Sequence, residues 1–254
     1  MTFVNSYADE TRAAAYATLD FPGTYHLAFR DLPRLFAAHT SGSGALDFGC
    51  GAGRSTRFLR GRGFAVIGVD ISAEMLRRAH DLDPTGDYRR VGDADLTALG
   101  GSRFDLVLSA FTFDNIPTRE QKVALFRQLR TLLAERGAIV NVVSTPDIYT
   151  HEWASFSTLD FPENWRARPG DVVRTIITDV GDRRPVDDVL WPDAWYREVY
   201  EAAGLEVVAH ERPLATGDEP IAWVSETTVA PWSLYVLRPG MDDTPRAWWG
   251  HALA

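Results

Sequence analysis

The sequence predicts an α/β fold: a mostly parallel sheet of seven strands with helices on both faces, an N-terminal helical lid, and a β-hairpin inserted after the fifth strand. Three observations carry that expectation. From Ala45 to about Val236, short apolar runs rich in β-branched residues alternate with helical patterns, the usual sequence form of parallel strands joined by crossover helices. One of these strands ends in an acid and runs straight into a glycine-rich turn, ALDFGCGAGRS. The length of 254 residues, with 45% hydrophobic and 24% charged, suits one α/β unit with a sizeable core.

Before the first strand, the Ala-rich stretch Glu10 to Leu19 and the segment FPGTYHLAFRDLPRLF read as helices. Residues 1–40 are therefore expected to form an N-terminal helical appendage, and residues 41–254 the main domain. The strands are expected at Ala45 to Phe48, Ala65 to Val69, Tyr88 to Gly92, Phe104 to Ser109, Ala138 to Val143, Leu205 to Ala209 and Ser233 to Leu237. Between the fourth and fifth, Leu125, Leu129, Leu132 and Leu133 fall on one face of a helix, with Thr118 and Gln121 as a capping box and Gly137 as its stop. From about residue 145 to 191 the pattern changes. An aromatic-rich loop, THEWASFSTLDFPENW, precedes two alternating runs, Val172 to Thr178 and Val186 to Trp191, which flank the turn GDRRP and read as the hairpin.

A formal charge of -9 gives a field that repels phosphate backbones, and the arginines Arg54, Arg57, Arg60 and Arg62 look locally balanced, so neither nucleic acid nor an anionic membrane is expected as a partner. A single cysteine, Cys50, cannot close an internal disulfide, and six scattered histidines lack ligand spacing, so no metal is expected. The N-terminus MTFVNSYADE has no basic and apolar leader, and no run approaches the roughly 20 apolar residues of a membrane helix. The expectation is a cytoplasmic protein, monomer or homodimer.

Glycines at alternate positions, Gly49, Gly51 and Gly53, let the backbone turn sharply and approach a ligand, while the following helix offers unpaired N–H groups. A dinucleotide fingerprint, G-x-G-x-x-G, does not fit, because the third glycine comes one residue early and Arg54 stands in its place. Asp47 would repel a pyrophosphate; an amino-bearing ligand suits it better.

The loop Asp47-Phe-Gly49-Cys-Gly51-Ala-Gly53 resembles motif I of the class I, Rossmann-like, S-adenosylmethionine-dependent methyltransferases, and the chain is similar to their bacterial small-molecule members. Asp70, in VIGVDIS, stands 23 residues after Asp47 and matches the family's acid for the ribose hydroxyls, with Ile71 beside it. A carboxylate can accept two such bonds at once. Asp93, in VGDADL, matches the residue near the adenine amino group, and Ala94 would offer its N–H to the ring. The fourth strand, FDLVLSAFTFDNI, resembles motif IV and puts Ser109 on the donor side. Tyr7 and Tyr16 resemble the tyrosines of the family's lid helix, and Arg12 or Arg30 could pair the donor carboxylate. The resemblance implies methyl transfer, with S-adenosylhomocysteine as the second product. Some members of the fold instead use the same cofactor site for cyclisation or rearrangement, and that alternative stays open on sequence.

Methyl transfer is an in-line displacement, so the protein mainly holds donor and nucleophile aligned. Ligands of open α/β sheets bind beyond the carboxyl ends of the strands, which directs attention to Phe111, Phe113, Asp114 and Asn115, then to Tyr149, His151, Trp153 and Phe156. His151 could be a base for an oxygen nucleophile or a surface loop residue; Asp114 could face substrate or cap a turn. The aromatic residues would stack on a planar acceptor. The expected acceptor is a small heteroaromatic or phenolic metabolite, uncharged or cationic, methylated on nitrogen or oxygen.

Overall fold

Aliphatic side chains alternate along the central strands, and the alternation sorts them onto two buried faces. Ala45, Leu106, Leu108, Val140 and Val142 belong to one core cluster, whereas Leu46, Val107, Ile139 and Val143 belong to the other. A sheet covered on both faces requires this double burial. The computed structural model describes residues 9–240. Strands β1 (Gly44–Phe48), β2 (Ala65–Asp70), β3 (Asp87–Arg90), β4 (Phe104–Ala110) and β5 (Leu133–Ser144) are parallel neighbours. Strands β6 (Phe156–Ser157), β7 (Val172–Ile177) and β8 (Val186–Val189) form a separate small antiparallel sheet. Strands β9 (Leu205–Glu211) and β10 (Trp232–Pro239) complete a seven-stranded sheet of order β3-β2-β1-β4-β5-β10-β9, with β10 antiparallel to both neighbours.

The helices are α1 (Glu10–Ala17), α2 (Gly23–Arg30), α3 (Leu32–His39), α4 (Arg54–Arg60), α5 (Ala73–Leu82), α6 (Arg119–Thr131) and α7 (Asp193–Ala202). Leu27, Leu35 and Leu59 of α2, α3 and α4 pack on one face of the sheet; Leu125, Phe126, Tyr196 and Tyr200 of α6 and α7 pack on the other. Ser72 caps α5 by accepting from Met75 N, and Thr118 caps α6 by accepting from Gln121 N at 3.2 Å.

Two local expectations are corrected. Helix α6 ends at Thr131, so Leu133 is a strand residue, and the Phe104 N–H donates to the Leu132 carbonyl at 2.8 Å, drawing the chain into the sheet. Gly137 is no helix stop. It lies in β5 where a Cβ would stand 2.6 Å from the Phe104 carbonyl oxygen, so only glycine permits the approach.

The N-terminal segment is not one detachable unit. Helix α1 is tied to the turn between β7 and β8: the Arg12 guanidinium donates to the Pro185 carbonyl at 3.0 Å, and Arg184 pairs with Asp9 at 2.8 Å. Helices α2 and α3 belong to the main core, with Leu27 and Leu32 fully buried and the Trp232 indole N–H donating to the Thr24 carbonyl. Leu27→Ala is expected to destabilise the protein by about 3 kcal/mol, the usual range for a buried leucine left as a cavity. Urea unfolding of wild type and variant measures it, and a change below about 1 kcal/mol would show that α2 is peripheral.

Candidate active site

A cavity of about 270 Å³ opens at the carboxyl ends of β1, β2 and β4, where the strand order reverses between β1 and β4. One wall is Gly49, Gly51, Asp70, Ile71, Asp93 and Ala94; the other is Phe111, Thr112, Asn115 and Ile116, with Tyr16 of α1 at the rim.

The turn after β1 can be this tight because of its glycines. Gly49 has φ +75°, and a Cβ there would lie 2.1 Å from the Thr112 hydroxyl oxygen, itself bonded to the Phe48 carbonyl at 3.0 Å. Gly53 has φ +78° and sits against the Tyr88 ring, so it serves the turn rather than the cavity wall. Beneath the turn, Asp47 is fully buried. Its Oδ2 accepts from Ser55 and Thr56 at 2.7 and 2.6 Å, which fastens the start of α4 to the end of β1. Its Oδ1 is without a hydrogen-bond partner among the described residues, and burial, helped by the Asp70 charge, pushes its pKa up to about 6.

At the end of β2, Asp70 accepts from Gly51 N at 2.9 Å and Ser72 N at 2.8 Å. Burial raises its pKa, and these backbone donors oppose the rise. Opposite it, the Gln128 side chain clamps the loop after β3, donating to the Ala94 carbonyl at 2.7 Å and accepting from Leu96 N at 2.9 Å. Ala94 and Phe111 hold left-handed φ angles of +53° and +65°, costly for residues with a side chain, and both line the cavity. Arg54 donates to the Tyr16 hydroxyl at 3.2 Å and lies 4.7 Å from the Tyr25 ring centroid; it borders a small recess beside Gly49 and Gly51.

A second, narrower chamber adjoins the first and shares Tyr16, Phe111 and Asn115 with it. Aromatic rings of Tyr25, Phe156 and Trp232 wall it, while Tyr149, Asp114 and Asp188 supply its polar groups. The hairpin strands β7 and β8 close its far side with Thr175, Ile177, Val186 and Asp188.

Several expected site residues stand elsewhere. Asp47 lies under the turn, and Ser109 is fully buried within β4; neither lines a cavity. Phe113 points to the opposite core and stacks on Phe126 with centroids 3.9 Å apart. Trp153 is core, its indole N–H donating to the Ile148 carbonyl at 2.9 Å. His151 is engaged with Thr150 and the Asp147 carbonyl and lines neither chamber. Arg12 is held by the hairpin turn, and Arg30 pairs with Asp31 and Glu219, so neither reaches the donor cavity. Tyr7 lies outside the described residues. Sequence reasoning misses Asp188, Tyr25 and Trp232 because each comes from an element distant in sequence, and the short strand VDDV has no alternation that would mark the first.

Among known proteins, the family described as a methyltransferase domain matches residues 45–137. A relative in Streptomyces griseus, N-demethylindolmycin N-methyltransferase, is 32% identical over 211 residues, covering 81% of this chain and 85% of its own. A trans-aconitate 2-methyltransferase from Paracidovorax citrulli is 28% identical, covering 82% and 74%. Among solved structures, the CcbJ methyltransferase from Streptomyces caelestis superposes with a TM-score of 0.63 at 19% identity, over 91% of this chain and 99% of that one. The chain belongs to the class I S-adenosylmethionine-dependent methyltransferases, and its methyl donor is S-adenosylmethionine. Among the described residues, no helix is long and apolar enough to cross a membrane.

Two measurements test the site. Asp70→Ala is expected to weaken S-adenosylmethionine binding at least 30-fold by calorimetric titration, and unchanged affinity would move the ribose elsewhere. For Asp47, the folded-state pKa stands above the unfolded value, so its contribution favours folding at low pH and is lost as pH rises through about 6. Asp47→Asn is therefore expected to gain roughly 2 to 3 kcal/mol relative to wild type between pH 4 and 7.5. Denaturant unfolding at both pH values reads this, and a constant gap between the two proteins would refute it.

Proposed function

We propose that the protein methylates a small organic acceptor on nitrogen, with the donor in the larger cavity and the acceptor in the aromatic chamber beside it. The observation carrying this reading is that the two spaces lie side by side, with Tyr16, Phe111 and Asn115 lining both. The residues present suit the donor. Asp70 offers carboxylate lone pairs at the cavity wall, Asp93 and Ala94 face the adenine position, and the glycine turn with Arg54 borders the amino acid end. When bound, S-adenosylmethionine supplies an electrophilic methyl group on sulfur.

The chain's own residues do the positioning. Phe111, held in a left-handed conformation, separates and borders both spaces, so a nucleophile in the chamber approaches the donor along the Phe111 and Asn115 edge. Hairpin and α1 cover the chamber, which limits the acceptor to a small molecule and keeps water from competing. Nitrogen is favoured over oxygen because a neutral amine attacks with its own lone pair and leaves no anion beside the buried Asp114. The relative named as an N-methyltransferase supports the same choice. Rings of Tyr25, Phe156 and Trp232 line this space of about 50 Å³, which as it stands takes a small part of an acceptor.

Incubation with methyl-labelled donor and a panel of small amines, heteroaromatics and phenols is expected to label small nitrogen compounds. Labelling confined to macromolecules, or to phenols alone, would overturn the proposal.

A further inference from the structure

The acceptor chamber sets two carboxylates against one buried lysine, whose own pKa burial lowers to about 7. Asp114 and Asp188 both line it, and burial raises both pKa values. Their roles differ by their partners. Asp114 is fully engaged: Oδ2 accepts from the Ser144 N–H at 3.0 Å and hydroxyl at 2.9 Å, and Oδ1 accepts from the Tyr196 hydroxyl at 3.2 Å. Lys122, fully buried on α6, supplies the nearby positive charge, donates to the Phe113 carbonyl and sits 4.7 Å from the Trp191 ring centroid. It does not line the chamber.

Asp188 has much less. Its Oδ2 accepts one long bond from the Tyr149 hydroxyl at 3.3 Å, and among the described residues its Oδ1 has no hydrogen bond. The charged groups acting on it are Asp114 and Asp187, which oppose its ionisation, and Lys122, which favours it. One buried cation against two chamber carboxylates leaves room for a second, and the rings of Phe111 and Trp232, whose centroids lie 4.7 Å apart, add aromatic surface that attracts positive charge, the Tyr25 ring already lying against Arg54.

We propose, resting on the function above, that the chamber selects an acceptor carrying a protonated aliphatic amine, and that Asp188 holds this ammonium and takes its proton before methyl transfer. The steps balance. The ammonium gives one proton to the Asp188 carboxylate, leaving a neutral amine and a carboxylic acid. The nitrogen lone pair then forms the N–C bond as the C–S bond breaks, and that bond's electron pair stays on sulfur, leaving a neutral thioether. The positive charge passes to the methylated nitrogen, and proton return from Asp188 to solvent readies the site. A phenol would instead give up its proton to leave an anion beside Asp114, which this chamber repels. The amine route keeps one positive charge throughout, next to aromatic faces and the Asp114 carboxylate.

The test uses the full chain saturated with S-adenosylhomocysteine and pairs of probes differing in one group, 2-phenylethylamine against 2-phenylethanol and tryptamine against tryptophol. Calorimetry is expected to show the amines binding at least tenfold more tightly, with the advantage lost in Asp188→Asn while S-adenosylhomocysteine affinity is unchanged. Turnover of the better amine by Asp188→Asn is expected to fall at least 100-fold at pH 7 and to recover about tenfold per pH unit as free amine accumulates. Tyr149→Phe should reproduce the binding loss in weaker form. Alcohols binding as well as amines, neither probe class binding, or an Asp188→Asn variant with wild-type turnover would each overturn the proposal. Loss of donor-product binding in wild type, or labelling of macromolecules alone, would instead count against the broader reading of the site.

Discussion

How closely the turn after β1 can approach the turn after β4 governs everything at the carboxyl edge of the sheet. Gly49 meets Thr112 where no Cβ fits, and Thr112 is bonded back to the Phe48 carbonyl. That contact sets the floor of the donor cavity and carries Phe111 into the left-handed conformation that places its ring at the border of both chambers. From below, buried Asp47 ties the end of β1 to the start of α4 through Ser55 and Thr56. A carboxylate buried with one open oxygen is an expensive fastener, and the turn it secures is the part of the molecule that must not yield.

The second chamber is built by a different logic. Its walls come from α2, the loop after β4, the loop after β5, the hairpin and β10, so no contiguous stretch of chain contains it. Its polar groups sit in a low-dielectric surround where each charge matters more than at the surface. Asp114 is satisfied by Ser144 and Tyr196, while Asp188 is, among the described residues, hydrogen-bonded by Tyr149 alone. The hairpin thus does more than roof the chamber, because it contributes one of the chamber's two carboxylates.

Helix α1 and the helices α2 and α3 divide the N-terminal segment between two tasks. The first is held by ion pairs and carbonyl contacts at the hairpin turn and by Ala13, buried against Ala52 and Met75. The other two carry fully buried leucines and hydrogen bonds to Glu226 and Trp232, so they are as much core as the sheet.

The amino-acid order by itself determined the alternating α/β plan, the glycine turn and the acids that end β1 and β2, because these are local: strand periodicity, backbone freedom and cap chemistry act within a few residues. It also indicated Tyr16, Ile71, Ala94, Phe111 and Asn115, which line the cavities. Tertiary structure decided which side chains at the loop positions face a ligand. Phe113 and Asp114 are neighbours, yet one is buried against Phe126 and the other lines the acceptor chamber, since a single turn of 3-10 helix sends them to opposite sides. Trp153 and His151 lie in an aromatic loop that reads as substrate-facing, but the indole is held inward by Ile148 and the imidazole by Asp147. Asp188 faces the chamber only because β7 and β8 fold back over the sheet, and no local pattern records a long-range packing of that kind.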